Sequence, residues 1–95
     1  MKLSWRPAAE MDRGAIFEYV YAANRQAAVD LDGAFDYHTD RLIDFPESGR
    51  PGRVHDTREL VVPGSPYILV YRLSLSEVVI LRIFHGAQRW PKRIT

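Results

Sequence analysis

The chain has 95 residues, no cysteine, 46% hydrophobic residues and a formal net charge of +1. This length predicts a single domain over residues 1–95, large enough to bury a core and too small for a second one. The lack of cysteine excludes disulfides, thiolate metal sites and a cysteine nucleophile, and it fits a reducing, cytoplasmic location.

The N-terminal segment predicts a short strand followed by a helix. Residues 2–5 can form the strand, and Pro7 suits the first position of a helix, where its missing N–H costs nothing. The helix is expected to end near Ala22. Apolar residues at three- and four-residue spacing are expected to form its packed stripe: Ala8, Met11, Ala15, Ile16, Tyr19 and Val20. Charged residues interrupt any signal peptide, and no apolar run is long enough to span a membrane.

A second helix is predicted from the N-cap Asn24 to the stop at Pro46. Its apolar seam is expected to pack on the first helix, with His38 as a core histidine: Ala28, Leu31, Phe35, His38 and Leu42. Because the connection between the helices is only two or three residues long, the pair is expected to form an antiparallel hairpin.

The rest of the chain predicts an antiparallel meander. Residues 48–53 are rich in Gly and Pro and predict a loop. Three strands are expected after it, over about Val54–Val62, Tyr67–Leu73 and Val78–His85. Strict alternation places Arg72 beside Ile68 and Val70, and Arg82 beside Ile80 and Phe84. Both faces of the sheet are largely apolar, so one is expected to pack on the helical hairpin. The other is expected to be partly covered by the C-terminal segment or exposed for a partner.

Charge is divided unevenly along the chain. Residues 1–48 carry a net charge of −4 and residues 49–95 a net charge of +5. If the second half forms one face, that face attracts a phosphate backbone or an acidic protein segment. The alternative is that these charges only solvate two ordinary surfaces.

Several short motifs follow one another at characteristic spacing. They are Leu3-Ser4-Trp5 with Ala9 and Asp12, Tyr19, Asn24 with Ala27-Ala28, Leu42 to Arg50, Thr57 to Leu60, Pro66-Tyr67, Tyr71-Arg72 and Leu81 to Gln88. Together they resemble the RelE/ParE superfamily of toxins from bacterial type II toxin–antitoxin systems, and the ParE-like branch most closely. The resemblance implies an α+β fold in the order β-α-α-β-β-β, with a helical hairpin packed on a twisted antiparallel sheet.

The resemblance implies a growth-inhibiting toxin with one of two targets. ParE-like toxins poison DNA gyrase, whereas RelE-like toxins cleave messenger RNA on the ribosome. Under the ribonuclease alternative, His85 would be the acid or base and Arg82 would stabilise the phosphate. That cluster is incomplete, because Gly86 and Ile68 stand where ribonucleases of the family carry a Tyr and a basic residue. A third alternative is an attenuated relative that binds an antitoxin and harms nothing.

The resemblance also implies a cognate antitoxin with an acidic C-terminal segment, bound in a hetero-oligomer. The residues expected to bind the antitoxin or the target are Arg53, Arg58, Arg72, Arg82 and Trp90. The alternative for Trp90 is a lid over an apolar edge, for Arg58 a local ion pair, and for His85 a cap on the sheet edge. Arg72 and Arg82 would repel each other unless something anionic lies over them. No cofactor, metal site or membrane contact is expected.

Overall fold

A computed structural model describes residues 1–94 and confirms the predicted α+β arrangement. The elements are β1 (Lys2–Trp5), α1 (Pro7–Ala23), α2 (Arg25–Asp44), β2 (Arg50–Pro51), β3 (Arg58–Val61), β4 (Tyr67–Leu73) and β5 (Glu77–His85). As predicted, Pro7 occupies the first turn of α1, and the Asn24 side chain caps α2 by accepting a hydrogen bond from the Ala27 N–H. Neither helix in this part of the chain combines the length and apolar character needed to cross a membrane.

The five strands form one sheet in the order β1-β5-β4-β3-β2. The predicted meander accounts for the antiparallel pairs β3–β4 and β4–β5. The prediction of a purely antiparallel sheet is wrong at one edge, because β1 pairs with β5 in parallel, Lys2 opposite Glu77 and Trp5 opposite Ile80. A parallel pair needs a long connection between its strands, and the helical hairpin with the rest of the sheet supplies it.

The first strand of the meander is shorter than predicted. It was expected over residues 54–62, but β3 covers only Arg58–Val61. The preceding residues instead form a tight loop in which the Gly52 N–H donates to the Thr57 carbonyl and Asp56 has a φ of 61°. Within the predicted loop, Arg50–Pro51 forms the two-residue edge strand β2, which pairs with β3.

A β-bulge in β5 changes the predicted side-chain faces. Val70 pairs with Arg82, yet the next residue, Tyr71, pairs with Ile80, so Leu81 is an extra residue in its strand. Strict alternation therefore fails beyond Ile80. Ile80 and Ile83 both belong to the core on the helix side of the sheet, whereas Arg82 shares the opposite side with Val70.

The core lies between the helical hairpin and one face of the sheet. It is built from side chains of α1, α2, β4 and β5 and of the residue that follows β3: Ala9, Phe35, Leu42, Val62, Tyr67, Leu69, Tyr71, Val78, Ile80 and Ile83. The buried Tyr71 hydroxyl accepts from the Gly49 N–H at 3.0 Å and donates to the Pro46 carbonyl at 2.7 Å. Tyr71 thereby ties the loop after α2 to the centre of the sheet.

Helix α1 turns a different face inward from the one predicted, whereas α2 buries most of its predicted seam. In α1 the expected stripe is wrong, because Met11 and Tyr19 are 75% and 77% exposed while Ala9 is buried. Since α1 is apolar on most of its circumference, its periodicity does not select one face. In α2 the predicted residues Ala28, Phe35 and Leu42 are buried, and Leu31 packs against the core. Thr39, whose hydroxyl donates to the Phe35 carbonyl, is also buried, and the predicted core residue His38 is only half-buried.

Candidate partner-binding surface

The side of the sheet opposite the helices, which we call the outer face, carries four of the five residues predicted to bind a partner: Arg53, Arg72, Arg82 and Trp90. Arg72 and Arg82 project from β4 and β5 on this side, where the register pairs Arg82 with Val70. Trp90, from the segment after β5, lies against Phe84 with ring centroids 4.8 Å apart. The apolar residues of this face are buried although no helix covers them: Ile68, Val70, Val79 and Phe84.

Arg82 is bound internally by Asp12, a residue of α1. The guanidinium donates to both carboxylate oxygens at 2.7 and 3.0 Å, and the Ile83 N–H donates to the same carboxylate at 2.9 Å. The hydrogen bond to Asp12 raises the pKa of Arg82 above its ordinary value. The anion expected to lie over Arg82 is therefore the Asp12 carboxylate of the same chain. This carboxylate also binds the edge of β5 at Ile83, beyond the residues of β5 that pair with β1.

Arg53 is bound internally as well. Its guanidinium donates to the Glu59 carboxylate at 3.2 Å and stacks on the Trp90 ring, 3.6 Å from the centroid. Glu59 also accepts from the Arg53 N–H at 2.7 Å and from Arg50 at 2.9 Å. Burial alone would raise the pKa of Glu59, but these three donor groups outweigh it and hold the pKa below its ordinary value.

These contacts join into one chain of side chains across the outer face, which we call the outer-face network. Its members, in order of contact, are Glu59, Arg53, Trp90, Phe84, Arg82 and Asp12. A carboxylate stands at each end, and two guanidiniums enclose two aromatic rings. Trp90 thus acts as the lid that the sequence offered as an alternative.

The other two arginines differ in their surroundings. Arg58 pairs opposite Tyr71, away from the outer face, and donates to the Gly49 and Glu47 carbonyls. It therefore binds backbone oxygens and not the neighbouring carboxylates that the sequence suggested. Arg72 is half-buried and makes no ion pair with any residue of the described chain.

The cations of the second half therefore do not form a single unpaired face. Arg53 and Arg82 are each bound to a carboxylate of the chain, and Arg58 lies on the other side of the sheet. Sequence counting missed this because it registers charges and not their partners. Asp12 lies 70 residues before Arg82, and no local signal links the two.

His85 and Arg82, the two residues of the ribonuclease alternative, lie on opposite faces of β5. His85 pairs opposite Tyr67 on the helix side, with ring centroids 5.6 Å apart, whereas Arg82 projects to the outer face. The His85 Nδ1 accepts from the Ala87 N–H at 3.0 Å, and the His85 backbone N–H donates to the Gln88 Oε1 at 2.9 Å. His85 thus closes the turn that ends the sheet.

The helix side next to His85 contains an open cleft of about 450 Å³, lined mainly by apolar groups and by Tyr19 and Tyr67. Burial raises the pKa of Tyr67 above its ordinary value. Across residues 1–94, no three His, Asp or Glu side chains gather closely enough to hold a metal ion.

A family model described as "ParE toxin of type II toxin-antitoxin system, parDE" matches residues 3–90. The curated protein "Putative toxin Y4kP" of Sinorhizobium fredii is 36% identical over 91 residues, covering 96% of this chain and 94% of that protein. A chain of the structure titled "Chromosomal ParDE TA system from P. aeruginosa" superposes with a TM-score of 0.80 at 25% identity. The superposition covers 90% of this chain and 95% of the other.

Proposed function

Because the chain belongs to the ParE toxin family of type II toxin–antitoxin systems, we propose that it stops growth by binding DNA gyrase and that a cognate antitoxin holds it inactive. The observation that supports this most directly is the extent of the similarity. The family model covers residues 3–90, so the likeness includes both helices, all of the sheet except Lys2, and the lid residue Trp90.

The geometry gives no support to the ribonuclease alternative. Cleavage of RNA without a metal needs an acid or base and a cation that act on the same phosphate. The two candidates, His85 and Arg82, project from opposite faces of β5, and Asp12 already neutralises Arg82. A mechanism of binding and obstruction requires no such cluster.

For the antitoxin, we place the contact on the outer face around Arg72. This guanidinium has no carboxylate partner among the described residues, and it stands beside the outer-face network. An acidic segment that crosses the face could pair with Arg72 while its apolar side chains pack near Trp90. Three exposed cations after β5 would attract the same acidic antitoxin segment: Arg89, Lys92 and Arg93.

The test is a purified gyrase supercoiling assay run beside a cell-free translation assay. We expect the protein to inhibit supercoiling and to leave translation unchanged, and we expect the antitoxin to restore supercoiling. The His85→Ala variant should inhibit gyrase like the original protein, because His85 closes a turn and touches no target in this mechanism. Inhibition of translation that disappears in His85→Ala would establish the ribonuclease in its place.

A further inference from the structure

Helix α1 lines two adjoining clefts that the proposed antitoxin contact does not use. The clefts, of about 560 and 210 Å³, both have Phe17 and Glu18 in their walls, and Trp5 of β1 and Asp32 of α2 complete the wall of the larger one. Their lining from α1 recurs at helical spacing over three turns: Glu10, Arg13, Gly14, Phe17, Glu18, Tyr21 and Ala22. We call this surface the α1 groove. Its length from Glu10 to Ala22 is about 18 Å, at about 1.5 Å of rise per residue.

The floor of the α1 groove is apolar and open. Phe17 and Tyr21 lie with their ring centroids 5.6 Å apart, and Tyr21 remains 42% exposed. Between Glu10 and Phe17, a Cβ built on Gly14 would meet no atom within 4 Å. A glycine at the centre of a helix costs stability, and here it leaves room for another backbone to approach closely. The shape therefore suits a second helix laid along α1.

The charges around the α1 groove are predominantly negative. Glu10 and Glu18 form no ion pair or side-chain hydrogen bond within the described part of the chain. The arginine beside them, Arg13, is held by Asp32 at 2.7 Å and by Asp36 at 2.9 Å. At the far end, Arg25 lies over the Tyr21 ring at 5.5 Å. These four carboxylates and two guanidiniums leave a net charge of about −2, which favours a cationic partner.

We propose that the α1 groove binds a basic amphipathic helix of a partner protein. The apolar side chains of that helix would pack on Phe17 and Tyr21, and its backbone would approach at Gly14. Two lysines or arginines seven or eight residues apart would match Glu10 and Glu18, which lie about 12 Å apart along the axis. The groove thus selects the opposite charge from the outer face, so one chain presents two binding surfaces of opposite preference.

The experiment uses the complete protein and a designed 18-residue peptide with a leucine stripe flanked by lysines. A matched peptide carries glutamate in place of each lysine. We expect the lysine peptide to bind, to become helical on binding and to shift the amide resonances of Gly14 and Phe17. The glutamate peptide should bind at least about tenfold more weakly.

Two variants locate the binding. A Cβ at position 14 meets no atom within 4 Å, so Gly14→Leu should fold, place its side chain in the groove and bind the lysine peptide about tenfold or more weakly. Its control is Gly33→Leu on α2, where a Cβ also meets no atom within 4 Å and where binding should be unchanged. The pair Glu10→Lys/Glu18→Lys should likewise weaken binding, whereas the equal charge change Asp40→Lys/Glu47→Lys, at exposed sites outside the groove, should have little effect.

Three results would overturn the proposal. They are equal affinity for both peptides, full affinity in Gly14→Leu, and self-association of the protein that Gly14→Leu abolishes, since a second copy would then occupy the groove. None of these measurements involves gyrase or antitoxin. A failure of the proposed toxin function therefore appears separately, in the supercoiling assay.

Discussion

Asp12 joins helix α1 to strand β5 through a single carboxylate. It belongs to α1, it pairs with Arg82 on β5, and it accepts the Ile83 N–H. The Asp12 side chain is 17% exposed and that of Arg82 is 33% exposed. An exposed ion pair contributes little, but here removal of the carboxylate also leaves a backbone donor of a buried residue without its acceptor.

At the residue scale, we therefore expect an asymmetry between the two partners. Asp12→Ala should lower the free energy of unfolding by about 1–3 kcal/mol, and Arg82→Ala should lower it by less. The difference arises because Asp12 serves two donors and Arg82 serves one acceptor. Chemical denaturation of the two single variants and the double variant measures the coupling. Equal losses in both single variants would show that the Ile83 contact contributes nothing.

At the scale of elements, Glu59 anchors the loop before β3 to the sheet. Its side chain is 2% exposed, and it binds Arg50 of β2 and both the backbone and side chain of Arg53. Because these donors lower the pKa of Glu59 in the folded protein, the carboxylate stabilises the fold fully above its unfolded pKa, about 4.3. That contribution is lost as the pH falls through the lower, folded-state pKa.

The Glu59→Gln variant should test this contribution. We expect it to lose about 1–3 kcal/mol of stability at pH 7 and to show a smaller further loss between pH 5 and pH 3 than the original protein. Thermal unfolding at a series of pH values measures both quantities. The matched variant Glu77→Gln alters a half-buried carboxylate without these bonds and should retain the original acid sensitivity. Parallel pH curves for Glu59→Gln and the original protein would contradict the expectation.

The elements also show what could be predicted from the sequence. The bounds of β4 were correct because an apolar run is closed at its start by Pro66 and at its end by Ser74. The prediction of the buried face of α1 was wrong because α1 carries apolar side chains on most of its circumference, so periodicity could not choose among its sides. The bulge at Leu81 was missed because alternation assumes an unbroken ladder, and only the pairing with β4 reveals the extra residue.

At the scale of the whole molecule, the two halves of opposite charge do not become two opposed free surfaces. Three cations of the second half are paired with carboxylates: Arg82 with Asp12 of the first half, and Arg50 and Arg53 with Glu59 of the second half. The composition correctly indicated the charge difference between the two halves, but it could not indicate which cations pair with which carboxylates. The unpaired Arg72 remains as the cation of the outer face on which antitoxin binding is proposed to depend.

The proposed antitoxin contact gives a prediction at this scale. Arg72→Glu should weaken antitoxin binding by about tenfold or more while the protein stays folded, because Arg72 makes no ion pair within residues 1–94. Arg41→Glu is the matched control, since Arg41 is an exposed arginine of α2 that also lacks a carboxylate partner there. Calorimetric titration with the antitoxin measures both. If the antitoxin binds the two variants with equal affinity, the outer face is not its binding site.

The parallel pairing of β1 with β5 has a consequence for synthesis. The first strand emerges from the ribosome long before its neighbour, and Asp12 precedes Arg82 by 70 residues. At roughly 5–20 residues per second, the nascent chain waits about 4–14 s for the strand that completes its sheet. During that interval the helical hairpin can form from local contacts alone, while Leu3 and Trp5 have no sheet to join. The sheet can therefore be completed only after β5, the last strand, has been synthesised.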